Sequence, residues 1–385
     1  MRILFDHQIF ARQKRGGITR YFSELIKHLR DFPHANTSLS VVYSDTIYLK
    51  DSGVSVTSAE SLSQKSDIIS YIKNLVKSHK SAQYLYTYFK NSVNKRKSIK
   101  DLENQEFDIF HPTFFDPYFL TYIKSKPFVI TVHDMMHELF PDLFSNSAHV
   151  SKNKKELSIR ASRVIAITEH TKQDLIKLFS IDPSKIDVIH HGTSLSAHAM
   201  ESIDVPSSYI LFVGGRASYK NFSFFIKAIA PLLIKYDISL VCIGGDTFRN
   251  HEIELFDSLA IKQKAVQLTV SDNQLAYIYS RALCFVFPSL YEGFGMPILE
   301  AFACNCPVVL SNTSCFPEIA GNAGEYFDPH NAQSIYTALE KVMTSDIRRE
   351  ELRICGTKRL ANFSWHTTAE KTLQTYTKCL EHAND

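Results

Sequence analysis

Short apolar runs alternate with stretches of helical period along nearly the whole chain. In the first half, strands are expected over residues 3–6, 39–43, 108–110, 128–132, 164–167 and 186–189, with helices over 18–30, 150–161 and 171–179 between them. The second half repeats the plan. Strands over 210–214, 239–243, 282–287 and 307–310 are interleaved with helices over 221–236, 252–262, 273–281 and 332–343. Alternation of this kind predicts parallel sheets wound by helices. The polar stretch 200–208, which holds Pro206, divides the chain into two such domains, 1–203 and 204–362, followed by a closing segment 363–385.

Residues 51–104 break the alternation. They are rich in Ser and Lys, weakly helical over 68–77 and 84–93, and interleave aromatics with lysines. The segment reads either as a helical insertion facing membrane or acceptor, or as a solvated flap between two strands.

Composition narrows the class. With 385 residues, 44% hydrophobic and 22% charged, the chain fits a globular enzyme of two ordinary α/β domains. No apolar run approaches the roughly 18 residues that span a bilayer, and MRILFDHQIF lacks the basic start and cleavage site of a secretory leader. The expected location is the cytoplasm, with peripheral contact to the inner membrane left open. A net charge of +3 gives no argument for nucleic acid. Seven cysteines in mostly apolar surroundings suggest buried thiols, and the lone Cys304-x-Cys306 pair gives no zinc site. His133 and His137 have helical spacing but lack the glutamate of a zinc protease. No metal and no cofactor are expected.

The densest chemistry lies in YEGFGMPILEAF, residues 291–302. Glu292 and Glu300 flank a Gly-x-Gly-x-Pro turn at the carboxyl end of an expected strand, where ligands of open α/β sheets bind. Pro297 suits a first helical turn, and the amides of Gly295 and Met296 would face a ligand with the helix dipole behind them. Glu300, one turn into the helix, is placed to accept hydrogen bonds from a ribose diol, while Glu292 reaches a sugar. The plain alternative is a solvated glutamate pair, but the whole segment favours a site.

Other strand ends add candidates. Gly214, Gly215 and Arg216 follow a strand and Lys220 opens the next helix, so two fixed cations would converge on a leaving diphosphate. Neither a Gly-x-Gly-x-x-Gly nor a P-loop occurs, which argues against a dinucleotide redox cofactor and against a nucleoside-triphosphatase. Gly16 and Gly17 let backbone amides approach a ligand closely. His133 ends a strand on the ligand side and is a candidate donor to a sugar hydroxyl or contact to the reacting carbon; Asp134 orients it or the loop. Thr168 is a helix N-cap candidate. The aromatic cluster Phe114, Phe115, Tyr118 and Phe119 after His111 either stacks on an acceptor sugar, faces lipid or packs in the core, and Asp134, His111, Phe115 and Tyr118 are the acceptor-side candidates.

YEGFGMPILEAFACNCPVVLSNTSCFPEIAG resembles the donor-site signature of the retaining family-4 glycosyltransferases, which have the GT-B fold, and ILFVGGRASYKN resembles their diphosphate-binding turn. FDHQIFARQKRGGITRYFSEL and TVHDMMHELFPDLF resemble the glycine and His-Asp loops of the bacterial polysaccharide branch. The resemblance implies an α/β GT-B protein, two doubly wound Rossmann-like domains facing a central cleft, with segment 363–385 a helix that returns to the first domain and is anchored by Trp365. It implies that Arg216 and Lys220 neutralise the diphosphate, that Glu300 binds ribose and Glu292 the donor sugar, and that Gly293, Phe294, Gly295 and Met296 line the sugar and phosphate. It further implies that Val270 lines the base pocket, that His133 meets the sugar near its reactive end, and that Gly17 approaches the phosphate.

The function so implied is metal-independent transfer, with retention, of a hexosyl group to a lipid-linked oligosaccharide or polysaccharide acceptor in O-antigen lipopolysaccharide assembly. GDP-mannose or a GDP-deoxysugar is the preferred donor. A UDP-glucose or UDP-N-acetylglucosamine donor remains open, since no residue distinguishes guanine from uracil. A GT-B nucleotide-sugar epimerase and a non-catalytic nucleotide-sugar sensor are the other readings.

Overall fold

A computed structural model of the protein describes residues 1–49, 80–197, 200–216 and 218–381. The chain forms two compact units: Met1–Ile167, Lys172–Ile189 and Trp365–Asp385 make the first, Thr168–Thr171 and His190–Ser364 the second.

In the first unit, β1 (Arg2–Phe5), β2 (Asn36–Leu39) and β3 (Ile109–His111) form a parallel sheet in the order β2-β1-β3. A second parallel sheet runs β4 (Val129–Val132), β5 (Arg163–Ala166), β6 (Ile186–Val188). A single bridge from Phe110 to Phe128 joins β3 to β4. The order is therefore 2-1-3-4-5-6, and the chain reverses its direction of winding between β1 and β3. β4 is buried along its whole length, as its uninterrupted apolar pattern requires of a parallel strand covered on both faces.

The helix Gly17–Leu29 turns Tyr21, Phe22, Leu25, Ile26 and Leu29 inward at helical spacing onto Ile3, Phe5, Ile109 and Val129. The last helix, Trp365–Glu381, packs on it through Trp365, Ala369 and Tyr376. At about 1.5–3 kcal/mol for each large side chain removed from water, this return makes segment 365–381 part of the first core.

In the second unit, β7 (Tyr209–Val213), β8 (Ser239–Ile243), β9 (Ala265–Leu268), β10 (Cys284–Phe287), β11 (Val308–Ser311) and β12 (Gly324–Phe327) form one parallel sheet in the order 12-11-10-7-8-9. Winding reverses between β7 and β10. Helices Phe222–Lys235 and Ala332–Thr344 cover it with Phe225, Ile229, Leu233, Ile335 and Leu339.

Several expectations shift. The second strand lies at 36–39, not 39–43: Arg2 to Phe5 pair with Asn36 to Leu39, while the amides of Val42 and Tyr43 go to the Asn94 side chain at 2.9 Å each. The helix expected over 84–93 is the middle of a longer one, Lys80–Asn104, and the helix expected over 68–77 lies outside the described residues. The first unit ends at Ile189 rather than 203, because the following segment bonds into the second: His190 reaches Glu318 at 2.7 Å and Glu201 N donates to Asn273 O at 3.2 Å. Strands β9 and β12 and the helix Asp346–Leu360 were not expected. Both strands are only four residues long, β9 half-buried throughout and β12 at its two central positions, and the helix is polar around most of its surface.

Candidate functional site

The loops after β7 and β10 leave neighbouring strands at the point where the second sheet reverses, which is where a doubly wound sheet opens a crevice. One side chain from each meets the other there. Lys220 donates to Glu292 at 2.5 Å, and both side chains are largely shielded from water. Burial alone would lower the lysine pKa; the adjoining Glu292 carboxylate outweighs it and raises the group above its ordinary value, so Lys220 is a fixed cation.

Glu292 is held from its backbone as well. The Ser314 hydroxyl donates to its carbonyl at 2.7 Å and accepts from its amide at 3.1 Å. Gly295 stands at the N-cap of helix Met296–Ala303 with φ +83°, a left-handed conformation that glycine adopts without cost. A Cβ there would lie 3.2–3.4 Å from Ile298, Phe316 and Phe287. Pro297 occupies the first turn, and Glu300 lies one turn further in, buried, with the Tyr279 hydroxyl at 3.4 Å from its carboxylate.

Arg216 goes elsewhere. Its guanidinium is buried against Glu252 at 2.7 Å and donates to the carbonyls of Gly244, Asp246 and Thr247, so it staples the loops after β7 and β8. Of the two expected cations, Lys220 sits on Glu292 and Arg216 is engaged by Glu252 and three backbone carbonyls. Gly214 has φ +127°, and a Cβ on it would sit 3.9 Å from Lys220 Nζ, while space beside Gly215 is open. Gly293 accepts from the Thr168 hydroxyl at 3.0 Å. Phe294 is buried and stacks on His191 at 4.5 Å, so its ring is a packing element and only its backbone remains for a ligand. Val270 is half-buried between β9 and the Ser271 N-cap.

In the first unit, Gly16 is the N-cap of helix Gly17–Leu29, and a Cβ on it would fall 2.3 Å from the Gln13 side-chain oxygen. His133 is buried edge-on to Tyr21 at 4.9 Å, and burial lowers its pKa to about 4. Asp134 accepts from the Met136 amide at 3.0 Å and orients the loop. Beneath it, Lys154 bridges the Asp134 carbonyl and the Glu138 carboxylate, each at 2.9 Å. His111 is a correction: it is fully buried, with Nδ1 on the Tyr376 hydroxyl at 2.6 Å and Nε2 on Thr131 Oγ1 at 2.9 Å, a core residue unavailable to an acceptor. Tyr118 directs its hydroxyl to Asp6 at 3.1 Å, whereas Phe115 lines a cavity.

Comparison with known proteins bears on which chemistry these residues serve. Residues 15–197 match the family described as Glycosyltransferase Family 4, and 197–359 match Glycosyl transferases group 1. The chain belongs to family 4 of the glycosyltransferases. Among similar proteins, the Salmonella typhimurium O-antigen chain mannosyltransferase RfbU is 30% identical over 55% of this chain and 60% of its own length. The Escherichia coli O-antigen chain mannosyltransferase B is 24% identical over 74% of this chain and 78% of its own. The chain thus spans less than two thirds of RfbU. Solved structures share the GT-B fold: a glycosyltransferase from Rickettsia africae superposes with a TM-score of 0.69 at 19% identity over 98% of both chains. A sucrose-phosphate synthase from Thermosynechococcus elongatus does so with 0.67 at 17% over 99% of both.

Sequence reasoning missed three residues that build these glycosyltransferase loops. Ser314 clamps Glu292. Glu318 accepts from the amides of Glu169 and His170 at 2.7 and 3.1 Å and from His190. Asp6 accepts from the Gln8 side chain, the Thr113 amide and hydroxyl and Tyr118. Ser314 and Glu318 lie inside the motif SNTSCFPEIAG, but their partners are distant in sequence. Thr168 caps its helix as expected, accepting from the Thr171 amide at 3.1 Å.

Proposed function

We propose that the protein transfers a hexosyl group, with retention, from a nucleotide-sugar to a lipid-linked or oligosaccharide acceptor in the assembly of a bacterial O-antigen or related surface polysaccharide. GDP-mannose is the proposed donor. The observation that carries the reading is the Lys220–Glu292 pair at the switch point of the second sheet. In this reading the diphosphate displaces the Glu292 carboxylate from Lys220, and the freed carboxylate takes the sugar hydroxyls while Glu300 accepts from ribose. The bond from the anomeric carbon to the diphosphate breaks as the acceptor oxygen attacks on the same face, and the acceptor proton passes to the departing phosphate. Lys220 stabilises the leaving charge, so neither a protein nucleophile nor a metal ion is required.

The mannosyl assignment is supported by the printed activities of RfbU and of the Escherichia coli mannosyltransferase B. Work at the inner membrane surface is supported by the exposed Phe89 on a helix that also exposes Arg96 and Lys97, an aromatic and basic face suited to anionic headgroups. No described helix is long and apolar enough to cross a membrane.

A thermal-shift screen against GDP, UDP and ADP sugars tests the donor. Stabilisation by GDP-mannose is expected; a response to UDP-sugars alone overturns the donor, and conversion of a nucleotide-sugar to its epimer without acceptor overturns transfer.

A further inference from the structure

The first sheet has its own switch point, between β1 and β3, and the donor chemistry of the second unit makes no use of it. Two cavities open there. One, of about 310 Å³, is lined by His7, Arg12, Tyr88, Asn91, Lys95 and Asp116. The other, of about 250 Å³, is lined by Arg12, Phe114, Phe115, Asp116, Asn146 and Asn153. Arg12 and Asp116 belong to both, so the cavities adjoin across a shared partition.

That partition is rigid. The Arg12 guanidinium lies 4.6 Å over the Phe114 ring, and the Gln8 side chain holds Asp116 by accepting from its amide at 2.8 Å and donating to its carbonyl at 3.1 Å. Buried Asp6 ties Gln8 to Thr113 and Tyr118, so the loops after β1 and β3 move as one piece. Lys95, 4.0 Å from Asp116, offsets its charge, and together with Arg12 the walls carry both signs.

The lining chemistry selects a ligand class. The exposed Tyr88 ring suits the C–H face of a sugar, and side-chain amides with a paired carboxylate and the Arg12 guanidinium suit vicinal hydroxyls, which donate and accept at once. An acyl chain would leave these polar groups without partners, and the balanced charge argues against a bare phosphate. We infer that this crevice is an acceptor site with two adjoining saccharide subsites, one completed by Tyr88 from the inserted helix Lys80–Asn104, so that the protein recognises the last two sugars of its acceptor rather than one. The inference rests on the transferase reading.

Saturation-transfer NMR on the full chain with GDP present, using methyl mannosides, glucosides, galactosides and N-acetylglucosaminides of one and two residues, tests it. Both rings of at least one disaccharide should receive saturation, with affinity at least tenfold above its monosaccharide. Tyr88→Ala should lose contact to one ring and Asn146→Ala to the other, each weakening binding at least fivefold, with the nucleotide thermal shift unchanged. Absence of saccharide contact in a protein that still binds nucleotide, or an identical contact map in both variants, overturns the two-subsite assignment. Failure to bind any nucleotide overturns the transferase reading instead.

Discussion

Lys220 Nζ lies 2.5 Å from Glu292 Oε1, joining the loops that follow β7 and β10. The cation of the site is therefore neutralised in the absence of a ligand, and under the proposed function a diphosphate would bind by exchange with a carboxylate. Truncating one partner of a shielded, hydrogen-bonded charge pair costs roughly 2–5 kcal/mol of binding. Lys220→Met should weaken nucleotide-diphosphate affinity by roughly 100-fold by calorimetry, whereas Glu292→Gln should keep nucleotide affinity within a few-fold and lose turnover.

Glu300 is buried one turn into helix Met296–Ala303, against Tyr279. As the acceptor of a ribose diol it should make the protein reject 2′,3′-dideoxynucleotides. A buried site that loses a charged hydrogen bond gives up about 1.5–3 kcal/mol. Wild type should prefer the ribonucleotide by at least tenfold, and Glu300→Gln should reduce that preference to near unity. An unchanged preference in the variant would assign the ribose to another residue.

Lys154 and Glu138 form a pair only 1% and 6% exposed, and the lysine also holds the Asp134 carbonyl. Breaking such a pair leaves one charge buried and costs about 3–5 kcal/mol. Urea unfolding should show Lys154→Met destabilised by that order, and Lys154→Met with Glu138→Leu should recover most of it. The double variant should remain slow in transfer, because the loop carrying His133 has lost its tie.

Burial lowers His133 to about 4, and burial together with the neighbouring His133 lowers His111 to about 3. Between these values and the ordinary histidine pKa near 6.5, the unfolded chain binds more protons than the folded one. Each group then tilts stability by about 1.4 kcal/mol per pH unit, upward with pH. Thermal unfolding should show stability falling as pH drops below about 6.5, and His111→Gln should flatten that slope. Lys220 has the opposite sign: its raised pKa contributes fully below about 10.5 and is lost only as pH rises past its folded value.

Strand and helix alternation made both doubly wound sheets legible, because buried parallel strands such as Cys284–Phe287 are apolar without interruption. The Glu292–Glu300 turn was legible for a related reason: glycine, proline and carboxylate at fixed spacing need little tertiary knowledge. The Arg216–Glu252 pair was not legible because Glu252 lies thirty-six residues away, in the first turn of a helix. His111 was misread because the residue that buries it, Tyr376, comes from the returning last helix. Edge strands such as Ala265–Leu268 escape a hydrophobic pattern because they are only half covered.

The most direct test of the account is mass analysis of lipid-linked glycans after incubation of membrane extract and GDP-mannose with wild type and with folded Lys220→Met. The account predicts addition of one hexose mass by wild type and at least a hundredfold less product from the variant. Full activity in Lys220→Met, or no hexose added by wild type, would contradict it.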